Sequence, residues 1–437
     1  MRKMKDSGIE WIGEIPESWD VRRIKFTLES HSGGAWGTNE GEDETDVICV
    51  RVADFDYPQL TVKMHDKMTV RSYPVKTIDA SSIKNGDILL EKSGGGEVTP
   101  VGRSVLFNND EQMMCANFIE WLRPSSNFNP RYLNYWLAAA YVNGFSKRNV
   151  KQTTGIQNLD VPAFLSERIA SPDVGMQETI ADYLDKKCAE IDAIIAAKEK
   201  TNELLKERRQ SIIYEAVTKG LDPTVPMKDS GIEWIGEIPE SWDVERLKYH
   251  IQFNPSTDIP EYEDDQQVSF VPMDCLRRGV HTFQIADYEK VKKGYVIFQN
   301  GDILMAKVTP CLENGNIAIA CDLIDGIGFG STEINVIRCT TINREFLFYM
   351  LQCKTYVERA MADMYGVAGL KRLNPDFIPN TKYPIPSSAE QEKIAEYLGC
   401  VCNEFDALIS SNNLTIEKLK EYRQSVIYEA VTGKVEV

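Results

Sequence analysis

Between Gln177 and Lys219 the apolar positions recur every seven residues. Leu184, Ile191, Lys198, Leu205 and Ile212 form one row, and Cys188, Ile195, Asn202 and Arg209 stand four residues after its first four members. A second stretch repeats the pattern with Leu398, Phe405, Asn412, Leu419 and Val426, interleaved with Cys402, Ile409, Ile416 and Arg423. A seven-residue seam is the pattern of helices zipped together as a coiled coil. No Pro or Gly interrupts Gln177 to Lys219. The alternative is an amphipathic helix lying on its own domain; the length and the polar seam positions favour a helix pair.

The segments outside these helices have a different rhythm. Residues 22–170 and 245–385 mix short strand-like runs, such as Val47 to Val52 and Ile317 to Ala320, with frequent turns at Ser93-Gly94-Gly95-Gly96, Asn314-Gly315-Asn316 and Gly326-Ile327-Gly328. Helical periodicity covers Arg131 to Val142 and Arg344 to Ala362. Each insert is expected to be an α+β domain.

The chain is also a tandem duplication. Met4 to Val21 reads MKDSGIEWIGEIPESWDV, and Met227 to Val244 repeats it letter for letter. The helical blocks echo each other as QETIADYL with KERRQSIIYEAVT, and QEKIAEYL with KEYRQSVIYEAVT. Weaker echoes join Asn85-Gly86-Asp87-Ile88-Leu89 to Asn300-Gly301-Asp302-Ile303-Leu304, Thr99-Pro100 to Thr309-Pro310, and Gly155 and Leu159 to Gly369 and Leu373. A constant frame therefore carries two unlike inserts. A frame kept alike implies a structural task or a partner met twice, and unlike inserts imply two different things recognised.

The expected layout is a first domain at 1–175, a long helix at 176–219, a linker at 220–226, a second domain at 227–388, and a second helix with a tail at 389–437. At 1.5 Å per residue, some 40 helical residues make a rod of roughly 60 Å. The first rod stops at Gly220, before Asp222-Pro223 and Val225-Pro226. The second domain then begins near its far end. Antiparallel pairing returns the second helix to the first domain and relates the halves by a pseudo-twofold axis; parallel pairing requires a long return connection.

Composition narrows the classes. The 437 residues suit two or three domains, and a 43% hydrophobic fraction is ordinary for packed cores. No apolar stretch approaches the roughly 20 residues of a membrane span, and Met1-Arg2-Lys3-Met4-Lys5-Asp6 is not followed by a signal core. A cytoplasmic protein without membrane contact is the expectation. Ten scattered cysteines and four histidines show no zinc spacing, so reduced core thiols are expected, with no metal or cofactor. The net charge of −17 argues against a coat of positive charge for nucleic acid and leaves room only for local basic patches.

The order domain, long helix, domain, long helix resembles the specificity subunits of type I restriction-modification systems. Gly8-Ile9-Glu10-Trp11-Ile12-Gly13-Glu14-Ile15-Pro16, recurring at Gly231 to Pro239, looks like that family's usual start. Pro384-Ile385-Pro386 followed by Glu390-Gln391 resembles its approach to a conserved helix. Two further stretches are similar to its target-domain pattern. One is Thr309 to Gly315 with Gly330-Ser331-Thr332-Glu333, and the other is Lys92 to Gly96 with Thr99 to Arg103. The likeness covers essentially the whole chain and rests on the joint order of these motifs. The first helix departs from the pattern, reading Ala170 to Gln177 without the usual Glu before Gln. The resemblance implies two target-recognition domains, each reading one half of a split, asymmetric target on double-stranded DNA, with the helix pair fixing the gap. It implies that two modification (methyltransferase) subunits dock on the conserved helices, and that two restriction subunits with motor and nuclease activity can join.

Catalytic signatures are missing from the sequence. Asn129-Pro130-Arg131, Asn254-Pro255-Ser256 and Asn374-Pro375-Asp376 lack the second Pro of a base-gripping methyltransferase loop. The lone Gly433-Lys434 is followed by Val435, so no phosphate-cradling loop is present, and no Gly-x-Ser-x-Gly elbow occurs. Asp87 with Glu91-Lys92 comes nearest to a nuclease cluster and reads as a strand after a turn. A non-catalytic recognition subunit fits.

Candidate DNA contacts are cations beside Asn, Gln, Thr and small turn residues. The first half offers Lys92, Ser93 and Arg103 around the Gly-rich turn, and the run Lys147, Arg148, Asn149, Val150, Lys151, Gln152, Thr153 and Thr154. The second offers Lys307, Thr309, Asn314 and Asn316 in the equivalent loop, with Lys371 and Arg372. The plainer reading of each is a solvated surface group. Trp11, Trp19, Trp234 and Trp242 read as core, or as contacts to helix ends or to a partner; Tyr214 and Tyr428 stand at the helix ends. Two competing readings of the whole chain are a two-domain scaffold that binds other proteins, and an enzyme with an unrecognised site in a cleft.

Overall fold

The computed structural model describes residues 2–96, 98–153, 156–367 and 370–437. Thr154, Gly155 and Gly369 lie outside the described residues, and of Thr153 only the backbone is described. The chain forms two compact units that do not follow chain order. The first comprises residues 1–198 and 414–437, and the second residues 199–413. Each is α+β, and each contains the start of one long helix and the end of the other.

In the first unit a six-stranded sheet runs in the order Leu28–Gly33, Ile119–Pro124, Ile88–Glu91, Ser104–Leu106, Thr61–Val62 and Phe55–Asp56. A three-stranded sheet of Met114–Cys115, Thr45–Val50 and Val70–Tyr73 completes it. Ile88, Leu89 and Leu90 are buried in succession, as expected of a central strand covered on both faces. The helix Pro130–Val142 packs Tyr132, Trp136 and Leu137 into the core, and Asn129 caps it by accepting from the Arg131 and Tyr132 amides.

The second unit repeats the central strands as Ile251–Phe253, Ile334–Cys339, Ile303–Ala306 and Ile317–Ile319. A second four-stranded sheet holds Gln284–Asp287, Gln267–Val271, Ile327–Gly330 and Val296–Gln299. The helical stretch expected over Arg344 to Ala362 is two helices, Arg344–Gln352 and Lys354–Ala362. They break at Cys353, whose extended backbone (ψ 130°) cannot continue a helix, and the freed Lys354 amide donates to the Gln210 side chain.

The long helices span Val174–Lys219 and Ser388–Val431. Asp173 accepts from the Met176 amide and so supplies the cap where the usual Glu is missing. Past Lys219 the chain turns at Gly220 with φ +76°, a left-handed conformation suited to glycine after a helix. The same bracket ties each helix start to its unit. Gln177 accepts from the Asn129 amide and donates to Pro172 O; Gln391 accepts from the Asn343 amide and donates to Pro386 O.

Within each unit the two helices run antiparallel. In the first, Tyr132 near the Gln177 end donates to Val431 O, while Asp192, further along, meets Arg423 at 3.2 Å. In the second, Asn202 pairs with Asn412 and Asn413, Arg209 meets Asp406 at 3.5 Å, and Tyr383 in the strand leading to the second helix donates to Val217 O. Leu184, Ile191, Leu398 and Val426 are buried; Ile195, Leu205, Ile212, Phe405, Ile409 and Leu419 are half-buried. The intervening positions are mostly exposed. The two arginine contacts are ion pairs and not aligned hydrogen bonds, since neither Nε–H has an in-line acceptor.

The opening repeats close each unit on a helix end. Trp11 packs 6.0 Å from Tyr428, whose hydroxyl donates to Trp11 O, and Tyr214 donates to Trp234 O and Ile235 O. Trp19 and Trp242 are buried beneath.

A buried amide in a coiled-coil seam fixes register. Replacing Asn202 with Ala removes the hydrogen bonds it donates to Asn413 and accepts from Asn412, a loss of about 0.5–1.5 kcal/mol each. Hydrogen exchange of the full chain should show protection falling at least tenfold in peptides covering 199–206 and 409–413, with the sheet strands unchanged.

Candidate nucleic-acid interface

The two inserts differ in sequence, yet each builds one surface in the same way. A central strand leaves the sheet, forms a loop, and pairs through its backbone with a separate hairpin. In the first unit the strand Ile88–Glu91 continues to Lys92, and the hairpin is Val150–Thr153 with Ile156–Leu159. The Leu159 amide donates to Lys92 O at 2.8 Å and the Gly94 amide to Gln157 O at 3.1 Å. Ser93 Oγ donates to Asn158 Oδ1, and the buried Gln157 side chain accepts from the Val101 amide. In the second unit Ile303–Ala306 continues to Lys307, and the hairpin is Tyr365–Val367 with Leu370–Arg372. The Leu373 amide donates to Lys307 O at 2.8 Å, the counterpart of the Leu159 bond. The Thr309 amide donates to Lys371 O, and Thr309 Oγ1 accepts from the Lys371 amide. Loop and hairpin, far apart in sequence, thus form one surface per unit.

Five cations of these surfaces, Lys92, Arg103, Arg148, Lys151 and Arg372, are held by carboxylates. Lys92 Nζ is 2.9 Å from Glu120, which also holds His31. Arg103 lies 3.6 Å over the Tyr57 ring and pairs with Glu91. Burial pushes the Glu91 carboxyl above its usual range, and Arg103 acts against that shift. Arg148 contacts Glu10, and Lys151 is 2.6 Å from Asp160, whose carboxyl it holds below its usual range. Arg372 grips Glu333 with two bonds of 3.1 and 2.7 Å. Lys147, Arg148, Lys151, Gln152, Asn314, Lys371 and Arg372 are exposed, and Lys307 and Thr309 are half-buried. Asn316 is only 6% exposed, and its amide closes the loop onto Cys311 O; it is a loop brace and not a surface group. The strand Ile88–Glu91 does follow a turn, and Asp87 is turned to Arg123 at 2.7 Å, away from Lys92; Asp302 and Arg338 repeat that pair. Among the described residues no group of three or more His, Cys, Asp or Glu is placed to hold a metal. No described helix is long and apolar enough to cross a membrane.

The sequence pattern of the family described as "Type I restriction modification DNA specificity domain" matches residues 16–206 and again 239–420. The chain belongs to this family. Its relatives include the type I restriction enzyme EcoAI specificity subunit of Escherichia coli, 39% identical over 163 residues, which are 36% of this chain and 27% of that protein. The EcoEI specificity subunit of the same organism is 36% identical over 163 residues, again 27% of its length, so the match spans about a quarter of either relative. The MjaVIII specificity subunit of Methanocaldococcus jannaschii is 24% identical over 435 residues, 97% of this chain and 94% of that one. Among solved structures, a chain from work on complex assembly and conformational transition of the type I R-M system has a TM-score of 0.72 at 14% identity, with 96% of this chain and 99% of that one covered. The HsdS subunit of Thermoanaerobacter tengcongensis has a TM-score of 0.52 at 14% identity, with 96% and 98% covered. At such identities the likeness is one of fold.

Sequence reasoning on this specificity-domain chain picked out loop and hairpin separately. It missed Gln157, which braces one against the other, and Glu120, and it did not join Glu91 to Arg103 or Glu333 to Arg372, because these contacts link residues distant in the chain. The weak echo of Leu159 with Leu373 was the available signal for the shared bond.

Gly102 shows how tight the loop is: its φ is +106°, and an added Cβ would stand 2.5 Å from Ser146 Cβ. Gly102→Ala should loosen the loop by about 1–3 kcal/mol. Limited proteolysis within 93–102 should accelerate at least fivefold, while Gly96→Ala, which meets nothing within 4 Å, should match the parent.

Proposed function

We propose that this chain is the DNA-reading subunit of a type I restriction-modification complex and is not itself a catalyst. The observation that carries the reading is the loop-and-hairpin surface built twice, with one backbone scheme and two different sets of side chains. A fixed scaffold with variable polar groups suits two halves of one asymmetric target on double-stranded DNA. The paired long helices serve as the gauge of the gap between the half-sites. Modification subunits dock on the repeated frame, two per chain, and restriction subunits join that assembly. The bases are read by polar groups on loop and hairpin: Ser93, Lys147, Arg148, Lys151, Gln152 and Thr153 in the first half, and Lys307, Thr309, Asn314, Lys371 and Arg372 in the second. Lys92 and Arg103, held by Glu120 and Glu91, support the first surface from below.

Charge sets the expected behaviour. With a net charge of −17 and five of its interface cations paired to carboxylates, the chain alone binds DNA weakly, and tight binding requires the partner subunits. A scaffold that binds only proteins would not need two different polar surfaces on one backbone scheme.

Methylation mapping in cells carrying this chain and its modification subunit should show a split motif with adenines modified in both halves. Exchanging the 150–159 hairpin for that of a relative should change one half-site and leave the other and the gap intact. Failure to find any modified motif, with an active modification subunit bound, contradicts the reading. In the assembled complex, Lys151→Ala and Arg372→Ala should each reduce the slope of log affinity against log salt by about one where the side chain meets a phosphate. An unchanged slope with altered base preference instead assigns that side chain to base edges.

A further inference from the structure

Directly after the repeated opening segment the two halves diverge in letters but keep their chemistry. Arg23-Ile24-Lys25-Phe26 stands where Arg246-Leu247-Lys248-Tyr249 stands in the second half. Each forms a short 3-10 turn whose first apolar residue is buried, Ile24 or Leu247. Each turn is pinned alike, by the Ile24 amide to Glu167 O at 2.9 Å and the Leu247 amide to Thr381 O at 3.0 Å. Its aromatic residue then points outward: Phe26 is 66% exposed and Tyr249 64%. A lysine lies near each ring, Lys25 at 5.2 Å and Lys248 at 5.3 Å. In the adjoining strand pair cation faces cation in both units, Arg23 opposite Arg168 and Arg246 opposite Lys382.

These features are unfavourable for the isolated chain. Like charges directly opposite in a sheet destabilise it, and an exposed ring gains nothing from folding. Their persistence through substitution, in a chain of net charge −17, points to something that covers them. Aromatic residues flanked by cations are typical anchors of protein interfaces. Their position separates them from the loop-and-hairpin surface. Gly33, at the end of the strand Leu28–Gly33, abuts Lys92, whereas Phe26 precedes its other end. In the second unit Glu333 precedes the strand Ile334–Cys339, whereas Tyr249 lies by Ile251, which pairs with Cys339. Six strand residues span about 20 Å in each case.

We propose that Phe26 with Arg23, Lys25 and Arg168, and Tyr249 with Arg246, Lys248 and Lys382, are twin docking points for one protein partner bound in two copies, one per unit. The partner presents an apolar recess rimmed by carboxylates. Within the function proposed above, on which this inference rests, that partner is the modification subunit. The two surfaces are alike because the partner is the same, while the reading surfaces differ because the half-sites differ.

The test uses the full chain with its modification subunit, counting bound copies by mass photometry and measuring target-DNA affinity. The parent should bind two copies. Phe26→Asp and Tyr249→Asp should each lose one copy, with at least tenfold weaker binding at the altered unit, and the double variant should lose both. Tyr249→Phe should keep two, and Lys25→Glu should weaken one copy in a salt-dependent way. Circular dichroism should be unchanged throughout, because both rings are on the surface. A double variant that keeps two copies at parental affinity overturns the proposal, and so does one that keeps both copies but loses DNA affinity, since the patches would then grip phosphates. A parent that binds no copy at all overturns the underlying reading instead.

Discussion

The antiparallel pairing of the long helices is the constraint on which each unit depends. Neither unit is built from a continuous insert alone. The first is closed by residues 414–437, whose Tyr428, Val426 and Ile427 reach the core around Trp11 and Trp136. The second is closed by residues 199–219, whose Ile213, Ala216 and Val217 reach the core around Trp242 and Tyr383. Remove the pairing, and each opening segment loses the helix end on which its tryptophan sits. The identical letters of the two opening segments are explained by this shared docking task, and the buried Gln177 and Gln391 brackets by the shared need to aim a helix out of a sheet domain.

Upon that frame the inserts vary where variation is harmless. The bond from Leu159 to Lys92 O, and its counterpart from Leu373 to Lys307 O, join loop to hairpin through backbone atoms alone. Side chains around them are therefore free to change without dismantling the surface. The carboxylates Glu91, Glu120 and Glu333 hold neighbouring cations in fixed directions and, in the DNA-reading role proposed above, reduce their pull on distant phosphates. This favours discrimination over bulk attraction, in keeping with an acidic chain.

Much of the fold was legible in the sequence because its signals are local or repeated. The seven-residue rows marked the long helices, and the duplicated blocks marked two units of one design. The break at Cys353 was not legible, since periodicity continues across it and the interruption is stabilised by Gln210, remote in sequence. The candidate surface was legible only in pieces. Polar composition singled out Ser93 and the 147–154 run as candidates, but nothing local announced that Asn316 is buried or that Lys92 pairs with Glu120. Phe26 and Tyr249 escaped notice because an aromatic residue after a strand reads as core until its exposure is seen.

The pairing direction can be tested most directly by site-specific photo-crosslinking from position 187 on the intact chain, with the products mapped by mass spectrometry. On the same helix Asp192 meets Arg423 at 3.2 Å. The account predicts crosslinks to the turns of helix around 419–426. Crosslinks to the segment around 394–402, where a parallel partner would place its matching repeat, would contradict it.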